Sequence, residues 1–193
     1  IGTTSFYPAK NLGCYGDGGA IFTNNNGLAE KIRMIVNHGE NKRYHHKIIG
    51  CNSRLDSLQA VILNIKLKYL DNYNSTRRIM ADNYNKAFQN ISNLQTPIEI
   101  DNSTHVYHQY TLKVLNGKRN ELKEYLQKNG IPTMIYYPIP LYKQEAFSNY
   151  VDDGYYLKNT EELSKNVLSL PIHTEIENSH QDFIIEKVLN FFK

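Results

Sequence analysis

The sequence contains no tryptophan and only two cysteines, Cys14 and Cys51. Two cysteines at this separation form neither a metal-binding spacing nor a disulfide framework, so we expect a reduced, cytoplasmic location. The chain also lacks a large excess of charge of one sign. Its net charge of +3 gives no reason to expect nucleic acid or an anionic membrane as a partner. No apolar run approaches the ~20 residues of a membrane helix, and we find no signal peptide.

The composition that remains is that of a globular protein. The chain has 193 residues, 40% of them hydrophobic and 21% charged, which suits one domain or two small ones. Fifteen tyrosines dominate the aromatic residues, and tyrosine can line a polar pocket or fill a core.

Hydrophobic periodicity predicts helices and strands in alternation, which favours an α/β fold. The predicted strands are 3–7, 19–23, 107–115, 133–137 and 167–170, and the first is expected to be buried. The predicted helices are 28–36, 53–91 with a bend near 71–75, 118–129, 156–166 and 179–192. Ser53 and Asp56 resemble a capping pair for the longest helix, whose apolar stripe (Leu55, Leu58, Ile62, Ile65 and Tyr69) fits packing against another helix. Residues 39–50 show no clear period and are predicted to form a loop.

The most informative stretch is 5–20, which contains a lysine among apolar and glycine residues. Lys10 is the only charged side chain before Asp17. Four glycines follow within a few residues, so the backbone can turn sharply or approach a ligand closely. A lysine in such a charge-poor turn is a candidate for Schiff-base chemistry, although an isolated lysine of this kind would more often be an ordinary surface residue. The Gly16–Gly19 segment lacks the spacing of a phosphate-binding loop and is interpreted as a turn before the next strand.

Seven segments resemble the DegT/StrS family of pyridoxal-phosphate sugar aminotransferases, in order and over nearly the whole chain. They are SFYPAKNLG (5–13), GDGGA (16–20), NHG (37–39), YHH (44–46), GCNSRLDSLQA (50–60), YYPIP (136–140) and LSLPIH (168–173). The resemblance is greatest to the branch that acts on nucleotide-linked keto-deoxyhexoses.

This resemblance implies the C-terminal half of a fold-type-I pyridoxal-phosphate aminotransferase. Residues 1–70 would be the end of the large α/β domain, 71–104 a linking helix and connection, and 105–193 a small α/β domain. The first half of the family's enzymes, which carries the acidic partner of the pyridine nitrogen and the group that stacks on the cofactor, has no counterpart here. We therefore expect a longer native protein, and the fragment by itself to be inactive.

The resemblance also implies the site residues. Lys10 would bind pyridoxal 5′-phosphate covalently, Ser5 would bind the cofactor phosphate, and Asn52 the phosphate of the neighbouring subunit's cofactor. Ser5 could instead cap a turn. Asn52 is expected just before a helix N-terminus, where the helix dipole favours an anion, but it could also be a simple N-cap. Arg54 could bind substrate phosphate or be an ordinary surface arginine.

Tyr136 and Tyr137 follow a predicted strand and either contact the substrate or pack at a domain joint. Many relatives have histidine at the position of Tyr136, which affects substrate recognition rather than the chemistry. No metal site is predicted, because neither His45–His46 nor the pair His105 and His108 converges on one point or is completed by a carboxylate or cysteine.

The family's activity implies transfer of an amino group, with glutamate as donor, to the keto group of a nucleotide-linked deoxysugar. The expected assembly is a homodimer with active sites shared across the interface. Two alternatives remain: a sugar dehydratase, against which Lys10 argues because those enzymes carry histidine there, and a non-catalytic or regulatory relative of the same fold.

Overall fold

A computed structural model describes residues 1–152 and 154–193. The chain forms two compact units, residues 1–72 and residues 73–193. The sequence predicted domain boundaries at residues 70 and 104, and the roles given to the three resulting segments stay predictions. The structure groups the segment after residue 72 with the second unit, because its helix contributes to that unit's core.

The first unit begins with a two-stranded antiparallel sheet and a helix. Strands β1 (Gly2–Ser5) and β2 (Gly19–Phe22) pair with Gly2 opposite Phe22 and Ser5 opposite Gly19. Helix α1 (Asn26–Val36) follows, and the side chain of its N-cap, Asn25, accepts a 2.9 Å hydrogen bond from Leu28 N. These elements were predicted, but the expectation that the first strand is buried is wrong: β1 is exposed along its length because β2 is its single neighbour within the described residues.

Residues 39–50, predicted as a loop, contain a short hairpin. Strands β3 (Glu40–Lys42) and β4 (His45–His46) pair antiparallel with a register shift. The backbone is left-handed at Gly39, with φ of +78°, and a Cβ there would lie 1.7 Å from the carbonyl oxygen of Ile48. Glycine is therefore required at this position. The hairpin escaped prediction because its strands are short and polar and have no alternation.

The predicted long helix is two helices, α2 (Ser57–Leu67) and α3 (Leu70–Phe88). The interruption lies at residues 68–69, where Tyr69 N donates to Lys66 O, and not at 71–75. The proposed capping pair is wrong as well. Asp56 is the N-cap and makes no side-chain capping bond, while Ser53 N donates to Val36 O at 2.9 Å, which ties it to the end of α1.

The second unit is a three-stranded antiparallel sheet with helices. Its strands and α-helices after α3 are, in chain order, β5 (Leu94–Gln95), β6 (Tyr110–Val114), α4 (Arg119–Lys128), α5 (Lys158–Asn166), β7 (Val167–Leu170) and α6 (Asn178–Phe191). Two short 3₁₀ helices, Leu141–Lys143 and Glu145–Tyr150, precede α5. The strand order is β5-β6-β7. The predicted helices and the last strand are confirmed to within two residues.

Two strand predictions in this unit need correction. The strand at 107–115 begins only at Tyr110, because Tyr107 has φ of +40° and cannot continue a ladder. The segment 133–137 forms no strand; Met134 makes a single bridge to Ser169. Pro132 and Pro138 flank it, and proline has no backbone N–H to extend the pairing.

A continuous apolar core holds the second unit together. Most of its buried members come from α3, the three strands, α4 and α6, and connecting segments contribute Tyr107, Ile131 and Ile172. Arg77 of α3 is buried at its edge and donates through Nη1 to the carbonyl oxygens of Tyr107, His108 and Ile172 at 3.0–3.3 Å. Desolvation lowers the pKa of Arg77, and these three bonds compensate part of the cost of burying its charge.

Candidate functional site

Lys10 lies on a loop that closes on itself between β1 and β2. Its backbone N donates to Tyr7 O at 2.8 Å, and its side chain is half-buried. At the base of the loop, Phe6 N donates to Gly18 O and Cys14 N donates to Phe6 O, both at 2.8 Å. Lys10 therefore stands midway between two backbone positions, Phe6 and Cys14, that are hydrogen-bonded to each other.

Cys14 is the buried centre of this loop. Its side chain is fully buried, and its thiol lies 3.0 Å from Phe6 O and 2.9 Å from Gly16 O, so it can donate to either carbonyl. Gly13 beside it leaves no room for a side chain, since a Cβ would lie 2.5 Å from Pro8 O. The sequence predicted that these glycines allow a sharp turn or a close approach to a ligand, and at Gly13 the close approach is to the backbone of Pro8.

Helix α2 holds the loop from a second side. Gln59 Oε1 accepts from Tyr15 N at 2.8 Å, and Lys66 Nζ donates to Gly13 O at 2.7 Å. Sequence reasoning missed both residues. The signal that could have found them is a pair of polar side chains two turns apart on a helix of largely apolar sequence.

Ser5 ends β1 and is exposed. Its Oγ accepts a 3.2 Å hydrogen bond from Tyr7 N, so it caps the turn that leads to Lys10. A hydroxyl that accepts one bond can still donate another. Binding of a phosphate by Ser5 stays a prediction.

Asn52 does not lie at a helix N-terminus. Helix α2 begins at Ser57, and Asn52 forms an antiparallel bridge with Asn37. The dipole argument for an anion at this residue is therefore wrong, as is the N-cap alternative. Asn52 is exposed, and a role for its side chain at a neighbouring subunit's cofactor stays a prediction that rests on family resemblance alone.

Arg54 belongs to a polar network around the hairpin. Its Nη1 donates to Asn37 Oδ1 at 2.9 Å, and Asn37 Nδ2 donates to Glu40 Oε2 at 3.1 Å. Arg54 also lines a cavity of about 580 Å³ with residues of β1, β2 and α1. Lys10, Ser5 and Asn52 are not in that lining, so this cavity does not bring the predicted site residues together.

Tyr136 and Tyr137 lie in the second unit and line a cavity of about 450 Å³. Their rings meet edge to face with centroids 5.5 Å apart. The wall opposite them includes Thr160, Leu163 and Ser164 of α5. Both tyrosines are thus available to a ligand in this cavity, and substrate contact stays a prediction.

Glu161 anchors the segment that follows the two tyrosines. This glutamate is 5% exposed, and its carboxylate accepts hydrogen bonds from the Tyr142 hydroxyl and the Lys143 ammonium. The hydrogen bond from Lys143, followed by that from Tyr142, lowers the pKa of Glu161. The pair fixes residues 141–143, and Leu141 lines the same cavity as the tyrosines.

Among residues 1–152 and 154–193 no group of three or more histidine, cysteine, aspartate or glutamate side chains could hold a metal ion. None of the helices formed by these residues is long and apolar enough to span a membrane.

Comparison with known proteins identifies relatives along the whole chain. A profile of the DegT/DnrJ/EryC1/StrS aminotransferase family matches residues 1–189. The chain is 42% identical to the pleiotropic regulatory protein of Geobacillus stearothermophilus, over 99% of this chain and 51% of that protein. It is 40% identical to the UDP-2-acetamido-2-deoxy-3-oxo-D-glucuronate aminotransferase of Pseudomonas aeruginosa, over 98% of this chain and 51% of that enzyme.

Solved structures give the same result for the fold. DesV of Streptomyces venezuelae, in complex with a ketimine intermediate, matches with a TM-score of 0.92 and 35% identity, over 99% of this chain and 51% of that chain. A Bacillus subtilis protein with bound cofactor PMP matches with a TM-score of 0.88 and 32% identity, over 98% and 45%. The predicted fold, one half of an aminotransferase of this type, is confirmed. The chain spans about half the length of the curated relatives it matches.

Proposed function

The chain belongs to the DegT/DnrJ/EryC1/StrS aminotransferase family, and we propose that the protein of which it is part is a pyridoxal-phosphate-dependent sugar aminotransferase. It would transfer an amino group, with glutamate as donor, to the keto group of a nucleotide-linked deoxysugar. The observation that carries this proposal is the family match over residues 1–189 with Lys10 at the middle of a hydrogen-bonded loop.

The residues present fit the cofactor. Lys10 offers a half-buried primary amine on a restrained loop, and Ser5 offers an exposed hydroxyl where the adjoining strand ends. Lys10 would hold pyridoxal 5′-phosphate covalently, and Ser5 would hold its phosphate. When bound, the cofactor supplies an electron sink for bond breaking at the amino carbon.

Lys10 would also move protons. As a free amine, its Nζ would act as general base and then as general acid toward the bound amino donor. Its fixed place on the loop supports this role, because proton transfer requires the amine within hydrogen-bond reach of the substrate.

Substrate recognition is assigned to two places in the chain. Arg54 would bind a phosphate of the nucleotide, for which a planar guanidinium is well suited. Tyr136 and Tyr137 would contact the sugar nucleotide from their cavity. No other group of this chain is assigned to the substrate.

We further propose a cytoplasmic homodimer with shared active sites, in which Asn52 contacts the partner's cofactor phosphate. The apolar side chains of α2 support association: Leu58 is 70% exposed, and Val61 and Ile65 are more than half exposed. Exposed apolar stripes of this kind favour burial against a partner.

Mixed dimers test the shared sites. Lys10→Ala and Asn52→Ala chains, co-expressed with different tags, would form dimers with one doubly altered and one intact site. Mixed dimers should recover a fraction of wild-type activity, although each parent homodimer is impaired. Asn52→Ala alone should weaken cofactor binding by about 1–3 kcal/mol if the lost bond is to a charged group. Mixed dimers no more active than either parent would show that the sites are not shared in this way.

A regulatory role is the second candidate, favoured by the relative named pleiotropic regulatory protein at 42% identity. Full-length protein incubated with ¹⁵N-glutamate and a nucleotide-linked keto-sugar separates the two. The aminotransferase proposal predicts ¹⁵N in the sugar product and its loss in Lys10→Ala, with Lys31→Ala on α1 as a matched control. Cofactor binding without transfer to any of a panel of such sugars would favour the regulatory candidate.

A further inference from the structure

The loop of Lys10 is closed at its base by hydrogen bonds of Cys14. Phe6 and Cys14 meet through the Cys14 N–H and thiol, and the turn at Tyr7 and Lys10 adds one backbone bond. The apolar residues near the loop do not surround it, since Tyr7 and Tyr15 are both more than half exposed. The loop is therefore also held in place by contacts from other parts of the chain.

The outside contacts come from one face of α2. Gln59 and Lys66 are seven residues apart, which places them on the same side of the helix two turns from each other. Leu63 lies between them on that face and is 8% exposed, so the face is packed rather than free. Lys66 Nζ also lies 5.0 Å from the ring centroid of Tyr15.

Gln59 and Lys66 form hydrogen bonds with the backbone on both sides of Cys14. Lys66 binds the carbonyl of Gly13 before it, and Gln59 binds the amide of Tyr15 after it. Cys14 in turn donates hydrogen bonds to the carbonyl oxygen of Phe6, the residue at which the loop begins. A shift of residues 13–15 would therefore shift both ends of the segment that carries Lys10.

We infer that Gln59 and Lys66 are positioning residues for Lys10. They act through the backbone of residues 13–15 and set where the lysine amine stands. The inference rests on the proposed function, in which Lys10 binds the cofactor and moves protons. A covalent and proton-transferring amine must be held within a fraction of an ångström, so loosening its support should lower the rate of reaction rather than only the stability.

Paired substitutions in full-length protein test this inference. Lys66→Met removes the donor and keeps the length of the side chain, whereas Lys66→Arg restores a cationic donor. Gln59→Leu removes the acceptor for Tyr15 N, whereas Gln59→Glu keeps one. Asn64→Leu, at an exposed position on α2, and Lys68→Met, at the exposed C-cap of that helix, are matched controls.

Three measurements are made on each variant. They are hydrogen exchange of the amides of residues 6–16 without cofactor, the fraction of Lys10 fixed to pyridoxal phosphate by borohydride, and kcat with KM. Lys66→Met and Gln59→Leu should speed the exchange, reduce the fixed fraction, and lower kcat by roughly 10- to 100-fold with little change in KM. Lys66→Arg, Gln59→Glu and both controls should resemble wild type.

The outcomes separate this inference from the proposed function. If borohydride fixes no cofactor on Lys10 of the wild type, the proposed function is wrong. If it does, but Lys66→Met behaves like Lys68→Met, the inference is wrong. Faster exchange with unchanged fixation and kcat would assign both residues a structural role and overturn the inference too. Should Lys66→Met fail to fold, the Gln59→Leu and Gln59→Glu pair decides the question.

Discussion

Residues 73–193 are stabilised by a continuous apolar core, whereas the described residues 1–72 bury few apolar side chains and form hydrogen bonds around the Lys10 loop. Of the buried hydrophobic residues, eighteen lie in the second unit, and the first unit contributes Cys14 and Leu63 from its described residues. Tyr84 is among the largest buried side chains of the second unit; its ring stacks on Phe88, with centroids 5.8 Å apart, and lies tilted against Tyr110 at 4.8 Å.

The unit with the smaller core carries the proposed chemistry. Its sheet and its second helix expose large apolar side chains, with Phe22 at 58% and Leu58 at 70% exposure. The position of Lys10 therefore comes from hydrogen bonds to backbone groups, and not from burial within its own unit. Apolar burial, which dominates folding stability, is concentrated in the second unit among the described residues.

The largest expected difference is in independent folding. A chain of residues 70–193 should melt cooperatively by circular dichroism, because it keeps its whole core. A chain of residues 1–69 should show no cooperative transition, because it buries too little apolar surface to offset the conformational entropy of folding. A sharp melt of residues 1–69 would break the comparison.

A matched pair of leucine substitutions tests the difference in apolar burial between the two units. Leu112→Ala removes a fully buried side chain of β6 and should cost about 2–5 kcal/mol in the free energy of unfolding. Leu58→Ala removes an exposed one of α2 and should change that free energy by less than about 0.5 kcal/mol in the monomeric chain. Urea titrations of the second unit and of the whole chain provide the values. Equal costs at the two sites would contradict the difference in burial.

A smaller effect concerns pH in the second unit. The folded-state pKa of Glu161 is lowered, first by the hydrogen bond from Lys143 and then by that from Tyr142. Its contribution to stability is therefore fully present above the ordinary glutamate pKa of about 4.3 and is lost as pH falls through the lowered folded-state value. Between pH 6 and pH 3, Glu161→Gln should lose less stability than wild type, while Glu124→Gln, at an exposed position of α4, should follow wild type. If the free energy of unfolding falls with pH equally in Glu161→Gln and wild type, the stabilising role given to the ionised Glu161 is wrong.

The sequence was sufficient for elements whose signal is local. Helix α4 ends at Lys128, two residues before Gly130, whose φ is +75°, and β7 is a short apolar run, so composition and periodicity located both. The start of α2 was misplaced because Ser53 is held by a backbone bond to Val36, a long-range contact with no local signature. The hairpin after Gly39 was missed because positive φ angles and the bonds of Glu40 create it.

The same distinction applies to the site. Lys10, Ser5 and the glycines around them are contiguous, so a motif reveals them. Gln59 and Lys66 contact the loop from 44 and 53 residues away in the chain, and only the fold brings them there. Asn52 shows the opposite error, since a helix start inferred from local sequence supplied a dipole argument that the structure removes.

The most direct test of the account is the identity of the lysine that binds the cofactor. Full-length protein is incubated with pyridoxal 5′-phosphate, reduced with borohydride, digested and mapped by mass spectrometry. The account predicts one adduct, on Lys10, and none in Lys10→Ala. An adduct on any other lysine, or stoichiometric cofactor binding with no adduct on Lys10, would contradict it.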